Sequence, residues 1–242
     1  MTITLEPLHV PSLKEACIAK LEALILAGEF KIGEKLPSER NLAKRFGISR
    51  PVVHEAVVDL AAKGLVEISP RRGVFVRDYH TTGSCALLTT LLSYQEGDLD
   101  EPFFRSLLEM RLLMETETAR LAALQRTDEH LRQFEALLAR EREAESGGLD
   151  ARALSELDFG FHQLVALSAD NLMYVLIINS FKPVYTNITR KFFVTHHGDS
   201  VMGETFAYHR RLVAAIAAGD SAAADETMSE MLRHGAANLT IE

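Results

Sequence analysis

The sequence has no tryptophan, two cysteines and no long apolar run among its 242 residues. Cys17 and Cys85 stand far apart, so they indicate neither a disulfide framework nor a paired-cysteine metal site. The apolar stretches are too short to span a bilayer, and the N-terminal residues do not have the pattern of a signal peptide. These absences predict a cytoplasmic globular protein with no membrane partner.

The chain also lacks an excess of positive charge, since its formal net charge is −8. The charge is uneven, because residues 1–78 carry 12 Lys and Arg against 10 Asp and Glu, whereas residues 79–242 carry 14 against 24. Within residues 35–54, five basic residues accompany one acidic residue. The positive potential that DNA phosphates require is therefore confined to a short segment.

Residues 36–60 contain two short helical patterns joined by a three-residue turn. Ser38 is expected to cap the first helix, and Gly47 ends it. Ser49 is expected to cap the second helix in the same way. This spacing predicts a helix-turn-helix, in which the N-terminal residues of the second helix reach base edges in the major groove. The outward-facing candidates for DNA contact are Arg40, Lys44, Arg45, Ser49, Arg50 and His54.

Residues 64–76 alternate apolar and polar side chains around a Ser-Pro-Arg-Arg-Gly turn, which is typical of a two-stranded wing. An apolar pattern over residues 12–27 predicts a further supporting helix. We therefore expect a winged helix-turn-helix domain over 1–78, a linker at 79–83 and a second domain over 84–242. The wing adds three candidates for DNA contact, Arg71, Arg72 and Gly73.

The segment 28–76 resembles the DNA-binding domain of the GntR family of bacterial transcription regulators. The resemblance rests on LPSER at 36–40, GISR at 47–50 and RRG at 71–73, with Leu42, Ala43, Glu55, Ala56, Gly64 and Leu65. It implies binding to a double-stranded DNA operator, and we expect a homodimer because one recognition helix reads only a few base pairs. His54 departs from the family's usual arginine and cannot make arginine's bidentate fork to guanine or phosphate.

Beyond residue 83 the segments have helical periodicity, and none alternates like a strand. Helices are predicted at about 84–94, 101–125, 128–145, 150–168, 171–194, 204–218 and 221–238. The predicted fold class is mainly α: an N-terminal winged helix-turn-helix domain followed by an all-α antiparallel bundle. Such a bundle is large enough to bury its own core and hold a cavity.

Asp158 and His162 stand four residues apart, so they share one face of an apolar helix, and His209 and His234 lie on later helices. Three histidines and a carboxylate on bundle helices are suitable ligands for a divalent ion such as Zn²⁺. The alternative is that Asp158 and His162 form a structural hydrogen bond and that His234 is solvated. Spacing alone leaves both interpretations open.

The helical domain is similar to the FCD effector domain of the FadR-like branch of the GntR family, through residues 108–124, DFGFH at 158–162 and residues 209–228. This resemblance implies a divalent metal (Zn, Ni or Mn) held by Asp158, His162 and His209 at the base of a ligand cavity. Met231 stands where the family's fourth ligand, a histidine, is expected, and a thioether is a poor ligand for zinc. Either His234 reaches the site from one turn further on, water fills the position, or the metal is weak or absent.

Residues 176–193 and 81–91 are similar to stretches of the fatty-acid-responsive regulator that gives the branch its name. The small-molecule effector is therefore either a carboxylate metabolite bound to the metal or a fatty acyl-CoA held by apolar walls. Arg111, Tyr185 and Arg190 are the candidates for effector contact. Arg111 can instead pair with Glu115, and Tyr185 can be part of the core.

Together these features predict a transcription regulator whose operator affinity is controlled by an effector, and not an enzyme. The rival is a metal-dependent hydrolase fused to a DNA-binding domain, because three ligands and an open position can activate water. Against this rival, no general base stands at motif spacing near Asp158 or His162. A third alternative, an architectural DNA-binding protein, would show no ligand response.

Overall fold

The structure is a computed structural model that describes residues 11–94, 101–145 and 148–239. Its backbone contacts divide the chain into an N-terminal unit, Met1–Glu96, and a C-terminal unit, Gly97–Glu242. The N-terminal unit contains α1 (Leu13–Leu26), α2 (Glu39–Phe46), α3 (Arg50–Ala62), β1 (Val66–Ser69), β2 (Gly73–Val76), α4 (Tyr79–Thr82) and α5 (Leu87–Tyr94). The C-terminal unit contains α6 (Glu101–Gln125), α7 (Asp128–Glu145), α8 (Ala151–Ser168), α9 (Leu172–Thr195), α10 (Ser200–Ala218) and α11 (Ser221–Ala237).

Local signals position the helix-turn-helix. The hydroxyl of Ser38 accepts a hydrogen bond from the Asn41 N–H at 3.3 Å and starts α2, as expected from the sequence. Gly47 ends α2 in the left-handed conformation, with φ 68°, which reverses the chain into α3. Leu21 of α1 and Val53 and Leu60 of α3 are fully buried, so the apolar faces of the two helices form the core of the unit.

Ser49 does not follow the expectation that it caps α3. It stands at the N-cap position, but its side chain makes no capping hydrogen bond within the described residues. Pro51 occupies the second helical position and has no N–H to donate, so one of the two donors that a cap uses is missing. The exposed Ser49 hydroxyl therefore remains at the protein surface.

The predicted wing is present. β1 and β2 pair antiparallel, with Val66 opposite Val76 and Ser69 opposite Gly73. Gly73 has φ 119°, and a Cβ atom built there would lie 2.5 Å from Cε of Lys35. The backbone conformation favours glycine at the base of the turn, whereas the flexible end of the Lys35 side chain could move aside.

The segment expected as a linker, 79–83, belongs to the N-terminal unit and contains α4. The Thr82 hydroxyl donates to the carbonyl of Gly64 at 2.8 Å, and the Ser84 N–H donates to the carbonyl of Lys63 at 3.1 Å. These bonds satisfy carbonyls that the end of α3 leaves without helical partners. The helix that follows, α5, packs against α1 and places Leu87 in the same core. The N-terminal unit therefore extends past residue 83.

The C-terminal unit confirms the predicted mainly α class. Its helices begin and end within a few residues of the expected bounds, with α10 starting earlier because Asp199 caps it through the N–H groups of Val201 and Met202. α6 packs against α8, α10 and α11, and α8 packs also against α7 and α9. The core between them contains Phe134, Phe161, Leu212, Ile216 and Met228, all fully buried. Of the described helices, none is long and apolar enough to cross a membrane.

Candidate DNA-binding surface and metal centre

The N-terminal unit presents its predicted DNA contacts to solvent. Those exposed are Arg40, Lys44, Arg45, Ser49, Arg50, His54, Arg71 and Arg72, while Gly73 is half-buried. The guanidinium of Arg72 lies over the Phe75 ring, 5.6 Å from its centroid, which supports the arginine at the tip of the wing. The structure thus places basic side chains on the two elements that a winged helix-turn-helix presents to DNA.

Glu39, which the sequence analysis did not single out, connects two of these contacts. Its carboxylate accepts a hydrogen bond from Nε of Arg50 at 3.1 Å and lies 2.7 Å from Nδ1 of His54. The hydrogen bond with His54, followed by that with Arg50, lowers the pKa of Glu39. Glu39 begins α2, whereas the other two residues belong to α3. This carboxylate therefore fixes side chains of the recognition helix from the preceding helix.

In the C-terminal unit, Asp158 and His162 of α8 meet His209 of α10. One ligand atom from each of the three side chains lies within 4.8 Å of the others, and all three residues are buried. Oδ1 of Asp158 lies 3.5 Å from Nε2 of His209. The i and i+4 positions on α8 supply two of the groups, and the packing of the helices brings the third to them.

Both histidines of this cluster have a buried carboxylate at Nδ1. Nδ1 of His209 lies 2.7 Å from Oε1 of Glu141 on α7, and Nδ1 of His162 contacts Oε2 of Glu115 on α6. The ring of Phe161 stacks on His209, with centroids 3.8 Å apart. A carboxylate at Nδ1 sets the tautomer and orients a histidine so that Nε2 can bind a metal. The sequence analysis considered Glu115 only as a partner for Arg111 and missed Glu141.

The cluster carries an excess of buried negative charge. Glu115, Glu141 and Asp158 are each at most 5% exposed, and the nearby cation is the guanidinium of Arg111, bound to Glu115 at 2.6 Å. Burial favours the neutral form of Glu115, but the charges of Arg111 and His162 outweigh it and lower the pKa to about 2. For His209, burial opposes protonation, yet Glu141 and Asp158 raise its pKa. When both imidazoles are neutral, as metal binding requires, three carboxylates against one guanidinium leave two negative charges, which suits a divalent cation.

Tyr185 and Arg111 lie beside this cluster. The Tyr185 hydroxyl donates to Oδ2 of Asp158 at 2.5 Å, and the Arg111 guanidinium lies 4.5 Å from the centre of the tyrosine ring. Burial, together with the charge of Asp158, raises the pKa of Tyr185 well above its ordinary value, so the phenol remains a hydrogen-bond donor. Both residues line a cavity, named here the main cavity, whose volume of about 640 Å³ includes space open to solvent, and Asp158, His162 and His209 line it too.

The structure does not bring every predicted residue to this site. Met231 lines the main cavity. Nδ1 of His234 instead lies 3.6 Å from Glu204, and its ring packs beside Tyr208. His234 is therefore not part of the cluster that the described residues form. Arg190 is exposed and is not among the described residues that line the main cavity.

The winged helix-turn-helix and the helical effector unit together define a class of one-component DNA-binding regulators. The chain belongs to the gntR family of bacterial regulatory proteins, whose model matches residues 13–76, and it carries an FCD domain over residues 106–234. These matches confirm the resemblance that the sequence motifs indicated.

Curated relatives extend over most of the chain. The regulator Mce2R of Mycobacterium tuberculosis is 32% identical over 95% of this chain and 92% of its own length. LutR of Bacillus subtilis is 31% identical over 85% and 91%, and the galactonate operon transcriptional repressor of Escherichia coli is 30% identical over 86% and 88%. The solved structure of Lar, which controls the expression of the Listeria monocytogenes agr system, matches with TM-score 0.63 at 18% identity, covering 95% of this chain and 97% of that one. The Lar structure and this chain therefore share one fold.

The protein is therefore a DNA-binding transcription regulator with an effector-binding C-terminal domain. The rival interpretation, a metal-dependent hydrolase fused to a DNA-binding domain, is wrong, since the family and its named relatives are regulators and not enzymes. The physical reason for the error is that a few N and O ligands on a bundle serve equally well to hold a ligand-binding metal and a catalytic one.

Proposed function

We propose that a homodimer of this protein binds a palindromic operator, and that a carboxylate effector controls its operator affinity at a divalent ion held by Asp158, His162 and His209. In this proposal Arg50 and His54 face base edges, while Lys44 and the wing arginines contact phosphates. The exposure of these side chains at the N-terminus of α3 and at the wing supports this division of roles.

The observation that carries the metal assignment is the environment of His209. This residue is fully buried, yet its Nε2 makes no hydrogen bond within the described part of the chain and has only the charge of Asp158, with Oδ1 at 3.5 Å, beside it. Leaving such an atom unpaired costs about 1 to 3 kcal/mol. Because Glu141 already occupies Nδ1, the unpaired Nε2 points to a group supplied from outside the polypeptide. An ion bound near Asp158 would satisfy this nitrogen.

Charge supports the same assignment. A divalent cation would offset the two negative charges that Glu115, Glu141 and Asp158 leave after pairing with Arg111. Zn²⁺, Ni²⁺ and Mn²⁺ all accept imidazole and carboxylate ligands. When bound, such an ion supplies a positive centre for an anionic ligand. The protein residues hold the ion, orient its histidine ligands and surround the cavity with apolar walls.

Met231 lines the main cavity, and the family resemblance aligns it with the expected fourth ligand, where it offers a thioether instead. Three nitrogen and oxygen ligands leave room for an oxygen atom from water or from an effector. A carboxylate effector suits such a centre, because carboxylate oxygens are good ligands for these divalent ions. The name of one relative also supports an acid, because galactonate is a carboxylate.

Equilibrium dialysis against Zn²⁺, Ni²⁺ and Mn²⁺ tests the metal assignment directly. We expect about one ion per chain for the wild-type protein and a large loss of affinity for His162→Ala. His234→Ala is the matched control, since this histidine lies on the same unit but outside the cluster, and it should retain the ion. No uptake of any of the three ions by the wild-type protein would contradict the proposal, as would loss of the ion in His234→Ala.

A further inference from the structure

We infer that the effector is an unsubstituted monocarboxylic acid with a hydrocarbon tail, held with its carboxylate at the metal centre and its tail along the apolar walls of the main cavity. This inference rests on the proposed function, because the metal centre supplies the position for the carboxylate. It excludes the short hydroxy acids and polyhydroxy acids as ligands of this chain.

Polar side chains are grouped in one part of the lining of the main cavity. They are Arg111, Asp158, His162, Tyr185 and His209, which lie in the cluster or in contact with it. The other lining residues are largely hydrocarbon and include Phe104, Leu108, Ile188, Phe192, Leu232 and Leu239. A ligand with one charged end and an apolar body matches this division.

The two threonines in the walls of the main cavity already make hydrogen bonds. The hydroxyl of Thr189 donates to the carbonyl of Tyr185 at 3.1 Å, and the hydroxyl of Thr205 donates to the carbonyl of Val201 at 3.1 Å. Neither hydroxyl retains its proton for a ligand. A polyhydroxy acid would thus bury several hydroxyl groups with few partners, and each unpaired group would weaken binding.

A second cavity of about 460 Å³, a volume that includes open solvent, shares part of its lining with the first. The residues that line both cavities are Leu107, Arg111, His162, Tyr185 and Ile188, and those that line only the second are Met110, Met114, Glu115, Ile178 and Phe181. The polar side chains of this second cavity are engaged within the cluster: Arg111 binds Glu115, and Tyr185 binds Asp158. The remaining side chains of its lining are apolar, which disfavours a hydrated ligand.

Isothermal titration of the zinc-loaded, full-length protein with straight-chain acids from butanoate to decanoate provides the test. Burial of each added methylene should tighten binding about fourfold until the cavity is filled. Galactonate and lactate should bind at least tenfold more weakly than octanoate. Equal binding of galactonate and octanoate, or an affinity independent of chain length, would overturn the inference.

A substitution on α9 locates the tail. Ile188→Trp should fill part of the main cavity and weaken decanoate binding at least tenfold, while butanoate binding is retained. Ile177→Trp is the matched control, because Ile177 is a half-buried isoleucine of the same helix that is not among the residues lining either cavity. If Ile188→Trp does not fold, Ile188→Ala serves instead and should shift the chain length of tightest binding upward. A chain-length profile that neither Ile188 substitution alters would overturn the assignment.

Two further measurements distinguish a failure of this inference from a failure of the proposed function. Octanoyl-CoA lacks a free carboxylate, so tighter binding of octanoyl-CoA than of octanoate would overturn the free-acid assignment. Metal uptake is measured on the same preparation. A protein that binds zinc but shows no chain-length dependence contradicts only the inference about the tail. One that binds no ion contradicts the proposed function, and octanoate binding that persists after chelation overturns the carboxylate position.

Discussion

Each histidine of the metal centre is oriented by a carboxylate that lies behind it: Glu115 behind His162 and Glu141 behind His209. Glu141 is fully buried, so its charge acts on the imidazole with little screening by water. A negative charge at Nδ1 makes Nε2 a better electron donor to a metal. In the proposed metal centre, Glu141 would therefore contribute to metal affinity although it belongs to a different helix from the three proposed ligands.

Removing the charge of Glu141 should weaken the metal centre without unfolding the protein. For Glu141→Gln we expect metal affinity to fall about 10- to 100-fold, the range typical of groups that orient a ligand. Zinc titration with a competing chelator measures this change. Glu135→Gln, at an exposed position of the same helix, is the control and should bind zinc like the wild-type protein. Equal affinities for the two variants would mean that Glu141 has only a structural role.

Sequence patterns identified Asp158, His162 and His209, because spacing on a helix and resemblance to a family both indicate them. Glu141 could also have been noticed, since it continues an apolar stripe that begins with Phe134 and includes Leu138, and a buried carboxylate needs a partner. Its partner could not be identified, because His209 lies 68 residues further along the chain. Only the packing of α7 against α10 brings the two together.

At the scale of elements, helices with strong local signals were predicted well. Periodicity, together with caps such as Asp220 at α11, predicts where helices begin and end. The errors arise where a distant partner decides the structure. The polar segment 79–83 has the composition of a linker, but the hydroxyl groups of Thr82 and of the adjacent Ser84 donate hydrogen bonds to carbonyls at or just after the end of α3. Composition carries no information about such a partner.

The helix-turn-helix gives a prediction about DNA recognition. Arg50→Ala should cost about 1 to 3 kcal/mol of operator affinity and relax specificity, because Arg50 begins the recognition helix. Lys44→Ala should weaken binding to all DNA alike. It should also make the affinity for DNA less dependent on salt concentration, by the amount that about one lost phosphate contact would cause. Fluorescence anisotropy with operator and scrambled duplexes measures both effects. Equal losses on the two duplexes for both variants would show that Arg50 does not read bases.

The connection between α9 and α10 gives a prediction about pH. Nδ1 of His196 lies 2.8 Å from Asp199, and Nε2 lies 2.9 Å from the carbonyl of Asn238. Burial lowers the pKa of His196, but the hydrogen bonds to these two residues outweigh it and raise the pKa. The protonated ring therefore stabilises the fold fully below the unfolded-state pKa of about 6.5, and this stabilisation is lost as pH rises through the folded-state pKa.

His196→Gln should consequently destabilise the protein more at about pH 6 than at about pH 9. Urea unfolding at the two pH values measures the difference in free energy of unfolding, and His197→Gln at the neighbouring position is the control. A cost of His196→Gln that is the same at both pH values would rule out a protonated His196 as a source of stability.

At the scale of the whole molecule, a single recognition helix reads too few base pairs for a selective operator. We therefore predict that two chains bind one palindromic duplex, each reading a half-site. Analytical ultracentrifugation of the protein with a labelled operator gives the stoichiometry. Selective binding of the operator by one full-length chain at physiological salt would contradict this prediction.

We propose that an acid bound at the metal centre changes the affinity of the protein for its operator. The most direct measurement is the operator affinity of the zinc-loaded protein with and without saturating octanoate, or the acid of the series that binds most tightly. We predict a change of at least fivefold for the wild-type protein, within the range usual for allosteric coupling. His162→Ala should bind the operator but show no such change. A response to the acid that is the same in His162→Ala as in the wild-type protein would contradict the account.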